Sequence, residues 1–475
     1  MVKKKFENIF KIYSKRIFII DSRGIKISYK QFYESVLKTI LILKKKGCKK
    51  NTKIIILDEN SVNYLIILVA CIFGGFVACP LDPSIKKERI KKIKKLYKSK
   101  LILKDLKELK LSKTSLNLDS RELNYDDTDC LLINSYGKNG EPTGILFKSS
   151  SILGSADSFS KLAKYNNKTV ILHCLPMFYM GGILDTFFSP LISGSKIIVA
   201  EKFTVLNAKN FWALPIQHKC NTLFLTPSII ALMTTIFRNS NKTILNHVST
   251  YKSIFATGSI LYPEVRKKFF KIFKKRIFSC YGSTEIGGPL CIQKNRASFK
   301  KNFCVGSHSK EVKIKEKAGY GRGFNYIFVK TPYFMKGYLT SKGLIRPIDK
   351  KGYFNTEDLG YYYKKTLFIK DTNRAIIKKG GELISLNLIE KTALQLKSIK
   401  NVFAIGKTDF YAGQEIFLFV SLKKRINKER ALKKINLILK NNLRPVEVPK
   451  KILFLDKINL VSERKKNKDQ LIKLI

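Results

Sequence analysis

Acidic side chains are scarce in this sequence. Against 91 lysines and arginines stand 35 aspartates and glutamates, a formal net charge of +56 over 475 residues. Paired cysteines are missing too. The nine present (Cys48, Cys71, Cys79, Cys130, Cys174, Cys220, Cys280, Cys291 and Cys304) fall singly, and the four histidines do not cluster. That spacing argues against a disulfide framework and a zinc site and favours a reducing compartment, the cytoplasm. Behind the basic N-terminus no apolar signal core develops, because Lys11, Lys15 and Arg16 interrupt it. Long hydrophobic runs are nearly absent. One uncharged stretch, residues 61–81, matches a membrane span of about 20 residues, yet Gly74-Gly75 sits in its middle and Pro80 near its end. A buried helix turning into a core strand accounts for it as well.

Hydrophobic residues make up 45% of the chain, enough for a sizeable interior. The length argues for at least two domains. The excess lysines are spread along the whole chain in the company of Ile, Asn, Phe and Tyr, so a coding bias explains them better than a polyanion-binding patch. Nucleic acid is therefore a disfavoured partner, whereas peripheral contact with an anionic membrane is compatible with the charge.

Strand and helix alternate through the first third. Ser28 is placed to cap a helix over residues 30–46 whose apolar stripe includes Phe32, Val36 and Ile40, and Gly47 ends it. Strands are expected at 53–57, 76–79 and 101–103, and helices at 62–73 and 86–99. This pattern predicts a largely parallel sheet covered on both faces. Four later strands run into small, polar or glycine-bearing loops. They are 131–133 before Asn134-Ser135-Tyr136-Gly137-Lys138-Asn139-Gly140, 169–172 before the aromatic, glycine-bearing segment 173–182, 253–256 before Thr257-Gly258-Ser259, and 276–280 before Tyr281-Gly282-Ser283-Thr284-Glu285. Such loops suit a ligand crevice along one sheet edge, and backbone N–H groups in a glycine-rich loop can cradle phosphate. In the last of them Gly282 is expected to break the strand. Beyond about residue 303 short alternating strands follow, then a small α/β region to the C-terminus.

Taken together these segments resemble the adenylate-forming superfamily, which includes acyl-CoA synthetases, peptide-synthetase adenylation domains and luciferases. Tyr281-Gly282-Ser283-Thr284-Glu285 is similar to its Tyr-Gly-x-Thr-Glu motif. Ala78-Cys79-Pro80-Leu81-Asp82-Pro83, Phe334-Met335-Lys336-Gly337-Tyr338, Gly352-Tyr353-Phe354 with Asp358, and Gly380-Gly381-Glu382 match in order. The resemblance implies an α/β fold: a large N-terminal domain of stacked mixed and parallel sheets, residues 1–370, with a β-rich subdomain over about 303–370. A small C-terminal α+β lid, residues 371–475, would follow, hinged near 371–376. It implies that ATP, with Mg²⁺, activates a carboxylic acid to an acyl-adenylate, and that coenzyme A or a carrier protein's pantetheine takes the acyl group. An acyl carrier protein is thus a candidate partner.

By matching position, Glu285 would hold Mg²⁺ and Thr284 contact phosphate. Gly258, Ser259, Tyr281, Gly282 and Ser283 would line the nucleotide pocket, and Asp358 would bind the ribose. Lys465 would bridge carboxylate and phosphate, with Lys466 as a substitute. Phe178, Tyr179, Gly181 and Gly258 would form the acid pocket. The residue after Phe178 is Tyr179, where amino-acid-activating relatives carry Asp, so a fatty or aryl acid is expected. Three departures stand out. The phosphate loop, Ser135, Gly137, Lys138 and Gly140 to Thr143, has Thr143 in place of its lysine. Thr372 and Ala375 replace hinge residues, leaving Arg374 to reach in. Thr-Gly-Asp has become Thr356-Glu357-Asp358. They keep a second reading open, a non-catalytic relative that holds nucleotide, acyl-adenylate or an acidic partner.

Overall fold

The computed structural model describes residues 2–104, 106, 123–136, 141–293, 303–317, 325–372, 375–380, 382–423, 426–455 and 464–475. The expected site residues Gly137, Lys138, Gly140 and Arg374 lie outside them, as does the side chain of Lys465.

Helix formation follows local chemistry. Ser28 and Gln31 close a reciprocal capping box at the start of helix Tyr29–Lys45, which buries Phe32, Val36, Ile40 and Leu43. Ser61 caps helix Val62–Gly74, and Gly75 ends it in the left-handed region at φ 71°. The uncharged run is therefore a 13-residue buried helix followed by strand Val77–Pro80. No helix among the described residues is long and apolar enough to cross a membrane. A helix at Val2–Ile12 was not expected, since lysines obscure its apolar stripe. Phe6 and Phe10, one turn apart, are buried there, and Phe10 stacks on Tyr33 with ring centroids 4.7 Å apart.

The strands form two large sheets rather than one. In the seven-stranded sheet, strands Leu101–Leu103, Lys53–Ile56, Val77–Pro80 and Asp129–Tyr136 are parallel, and Pro142–Lys148 folds back antiparallel. Ile54 and Ile56 point into the main core while Ile55 packs with Ile93 and Tyr97 of helix Lys87–Tyr97, so both faces are covered. The thirteen-stranded sheet joins a parallel half, which includes Val170–His173, Lys196–Val199, Thr222–Leu225, Ser253–Ala256 and Phe278–Ser283, to an antiparallel half built from Gly288–Ile292 onward. The sheets are mixed, as the resemblance implied, and one expectation is corrected: the strand before Ser135 belongs to the other sheet from those before Gly258 and Tyr281. Alternation reveals strands but not their partners.

Phe278–Ser283 also runs on through Tyr281 and Gly282 instead of breaking. Gly282 opposes Pro289, and a Cβ there would collide with the Gly288 carbonyl. Glycine is needed for close strand approach, and the turn falls at Gly287 and Gly288, with φ of 83° and 100°.

The main core ends in sequence at Ile369. A separate core begins at Ile377 and packs helices Leu386–Ala393 and Lys428–Asn442 on the sheet Ile399–Asp409, Gly413–Leu422 and Lys451–Phe454. A third helix, Arg464–Leu471, follows near the C-terminus.

Candidate active site

Ser253–Ala256 and Phe278–Ser283 are neighbours in one sheet, and Asp129–Tyr136 approaches them from the other. Between the sheets lies a crevice with a cavity of about 280 Å³. Ser135, Gly258, Ser259, Tyr281, Gly282, Ser283, Thr284, Glu285 and Asp358 all line it, although they come from four separate stretches. Gly258 holds φ at 96°, a conformation that glycine adopts without strain, and this turns the loop toward the cavity.

Two hydrogen bonds order the polar end. The Tyr281 hydroxyl donates to Asp358 Oδ2 at 2.7 Å, joining residues 77 positions apart. Tyr338 Oη donates to Glu285 Oε1 at 3.1 Å, while the Met335 amide donates to the Glu285 carbonyl at 3.0 Å. The segment Phe334–Tyr338 thus clamps the buried carboxylate of the Tyr-Gly-x-Thr-Glu motif. Lys336 donates to both carboxylate oxygens of Asp129, each at 2.9 Å, at the base of the strand that ends in Ser135 and Tyr136. Ser155 Oγ donates to the Gly287 carbonyl at 2.5 Å, pinning the turn from below.

Thr143 is placed otherwise. It pairs with Ser135 in the Asp129–Tyr136 and Pro142–Lys148 hairpin, is buried, and does not line the crevice. The strands that flank the expected phosphate loop, Asp129–Tyr136 and Pro142–Lys148, pair antiparallel. Phe178 and Tyr179, with ring centroids 4.7 Å apart, line a smaller cavity of about 60 Å³ that shares Asn134, Ser135 and Ile376 with the crevice. Gly181 does not line it. It opens the π-helical segment Gly181–Phe188, and its Cβ position lies 3.5 Å from the Asp185 carboxyl.

Four cations escaped the sequence reading, one of them Arg266, which lines the crevice. Lys370, Lys378 and Lys468 line the crevice, as do Thr408 and Gln414 from the second core's sheet. Lys468 lies one helical turn beyond Lys465 on Arg464–Leu471. A helical period of three to four on that helix was the available signal, hidden among neighbouring lysines.

Burial tunes the surrounding groups. His173 is fully buried, which pulls its pKa down to about 4, and Thr186 Oγ1 lies 2.6 Å from its Nδ1. Burial also pushes the Cys280 thiol well above its usual range, so the cysteine just before the motif is an inert packing residue.

Mg²⁺ is held by one or two protein carboxylates alongside phosphate oxygens and water. Glu285, with the Ser283 hydroxyl buried beside it and lacking a protein partner, supplies a donor set of that type. No group of three or more His, Cys, Asp or Glu side chains suited to a metal occurs among the described residues.

A crevice between two sheets, lined by ribose- and phosphate-compatible groups and by residues of the second core's sheet, defines a nucleotide-using enzyme. The chain belongs to the AMP-binding enzyme family, whose model matches residues 6–139 and 130–339. It is 24% identical over 373 residues to the malonate–CoA ligase of Arabidopsis thaliana, spanning 73% of this chain and 61% of that protein. It is 23% identical over 475 residues to a 2-succinylbenzoate–CoA ligase of Bacillus cereus, spanning 95% and 94%. The fold superposes on o-succinylbenzoate CoA synthetase from Bacillus subtilis with a TM-score of 0.84 at 18% identity, covering 98% of both chains.

Proposed function

We propose that this protein is an AMP-forming acid–thiol ligase that converts a carboxylic acid to its acyl-adenylate and then to a thioester of coenzyme A. The observation that carries this is the junction of two cavities. The Tyr281–Asp358 pair and Glu285 lie in the larger, Phe178 and Tyr179 in the smaller, and Asn134 and Ser135 border both. In the first step an acid oxygen attacks the α-phosphorus of ATP, and the bond to pyrophosphate breaks. In the second a thiol sulfur attacks the acyl carbon, AMP leaves, and the thiol proton passes to solvent. Little acid–base chemistry is required, so placement and charge dominate.

Asp358 accepts the ribose hydroxyls, and the Tyr281 hydroxyl fixes its orientation. Glu285 would hold Mg²⁺, whose charge would offset that of the phosphates. Gly258, Ser259, Gly282, Ser283 and Thr284 shape the nucleotide pocket. Lys370, Lys378 and Lys468 supply the positive field that the altered hairpin at Thr143 no longer brings. The acid is fatty or aryl and sits on Phe178 and Tyr179, the wall extending toward Gly181. The named relatives act on malonate and 2-succinylbenzoate, so both belong in any substrate panel. Residues 1–370 and 371–475 are the two domains, with the hinge at 371–376. A carrier protein's pantetheine is an alternative acceptor, and the cytoplasm is the site of action. The non-catalytic alternative is not favoured, because cations and carboxylates remain concentrated around the crevice.

Pyrophosphate exchange across a panel of fatty, aryl and dicarboxylic acids tests the proposal. Saturable, acid-dependent exchange is expected, and none with any acid in a folded, ATP-binding protein would sink it. Two lysines compete for the bridging role. We expect Lys468→Ala or Lys465→Ala, one and not both, to lower exchange at least about 100-fold while ATP affinity changes little, the signature of a contact made in the transition state.

A further inference from the structure

Arg444 lies just after helix Lys428–Asn442, in the second unit, and is 4% exposed. Its Nη1 pairs with Asp82, which follows strand Val77–Pro80 in the first unit, and with Glu382 at 2.8 Å. Its Nε lies 3.0 Å from Glu447, and its own backbone amide donates to Glu447 at 2.9 Å. Glu447 in turn receives Arg89 Nη1 at 2.7 Å, from helix Lys87–Tyr97 of the first unit. The exchange is reciprocal. Each unit sends one guanidinium to a carboxylate of the other, so neither pair forms unless the two units are seated.

The cluster borders the smaller cavity. Asp82, Arg89 and Arg444 line it beside Phe178 and Tyr179, and the Tyr179 hydroxyl faces both Arg444 and Glu382. Seating thus finishes the wall of the acid pocket. Helix Lys87–Tyr97, which brings Arg89 to the seam, carries five lysines and one arginine against one glutamate, a positive field that opposes the approach of Arg444. A further ion pair between the units joins Lys391 to Glu141.

We infer that Arg444 is a positioning residue for the acid pocket: the reciprocal Arg444–Asp82 and Arg89–Glu447 pairs seat the C-terminal unit against Tyr179 and close the pocket on the bound acid. This rests on the ligase reading for its kinetic arm only. The buried arrangement makes the pairs directional as well as attractive, since a charge left without its partner in such a place is strongly unfavourable.

The test uses the full chain as wild type, Arg444→Met, Arg444→Lys, Asp82→Asn and the Arg444→Met/Asp82→Asn double variant. Tryptic cleavage within residues 364–379, which contain five lysines, reports seating, and steady-state kinetics report the pocket. Arg444→Met is expected to speed cleavage and raise the KM for the acid, each by about tenfold or more, with the KM for ATP within about twofold of wild type. Arg444→Lys recovers part of both losses. The double variant is no worse than the more severe single one, because the two residues share one interaction. Unchanged cleavage in Arg444→Met and Asp82→Asn, or strictly additive effects in the double variant, would overturn the inference. Should Arg444→Met fail to fold, Asp82→Asn alone decides by the same readouts. Should no acid support exchange, the ligase reading falls while the cleavage arm still judges seating.

Discussion

Two buried titratable side chains behind the site make opposite demands on pH. Asp185 lies in the π-helical segment, its Oδ1 has no hydrogen-bond partner, and burial raises its pKa well above 3.8. The folded state therefore keeps a proton that the unfolded chain has released, and Asp185 costs stability increasingly as pH climbs above about 4. Asp185→Asn should be more stable than wild type, with the gap widening by roughly 1.4 kcal/mol per pH unit until the folded-state carboxyl titrates. Urea denaturation at pH 5 and pH 8 checks this, and an equal gap at both would contradict it. His173 acts in the other direction. Its pKa is lowered to about 4, so the unfolded state binds the extra proton below 6.5. Stability should fall as pH drops from 6.5 toward 4, by up to about 3 kcal/mol. His173→Gln should flatten that part of the profile.

At the scale of elements, the bulge before Asp358 in strand Phe354–Tyr363 carries a conspicuous substitution. Glu357 has φ of 56°, in the left-handed region that glycine occupies without strain. Asn355 Oδ1 accepts the Glu357 amide at 2.9 Å and Thr356 Oγ1 accepts that of Asp358 at 3.2 Å, so the bulge is held by side chains. Glu357→Gly should stabilise the protein by on the order of 0.5–1 kcal/mol, with relief of strain exceeding the added unfolded-chain entropy. Thermal melting with nucleotide absent measures it.

Much of this was legible beforehand. Ser28, the apolar stripe behind it, Gly75 and the Tyr281–Glu285 motif are local signals, and each appears where chain chemistry puts it. The pairing of Tyr281 with Asp358, the sheet to which Ser135 belongs, and the close approach at Gly282 were not legible, because they depend on residues distant in sequence. Lys468 was hidden differently, as one lysine among many.

For the whole molecule, charge is the dominant fact. Among the described residues the second unit also meets the first outside the Arg444 cluster: Lys391 pairs with Glu141, Tyr262 Oη lies 3.1 Å from Thr408 Oγ1, Ser228 Oγ donates to the Ala412 carbonyl at 3.1 Å, and Lys268 sits over the Phe410 ring at 4.1 Å. Asp82 and Glu447 are held below their usual carboxylate ranges, burial opposing and the guanidiniums outweighing it, whereas burial prevails at Glu382 and raises it. The acids at the seam are thus not equivalent, and Glu382 is the one that gains a proton first as pH falls.

With +56 on the chain, the exposed lysines repel one another across distances that mobile ions shorten to about 8 Å at physiological ionic strength. The Arg444 cluster is buried, so those ions screen it much less. Added potassium chloride, up to a few hundred millimolar, should then raise the melting temperature rather than lower it. An increase in KM for the acid over the same range would locate the salt-sensitive attraction at the seam after all. For this chain, the ionic strength of its surroundings is a structural component in its own right.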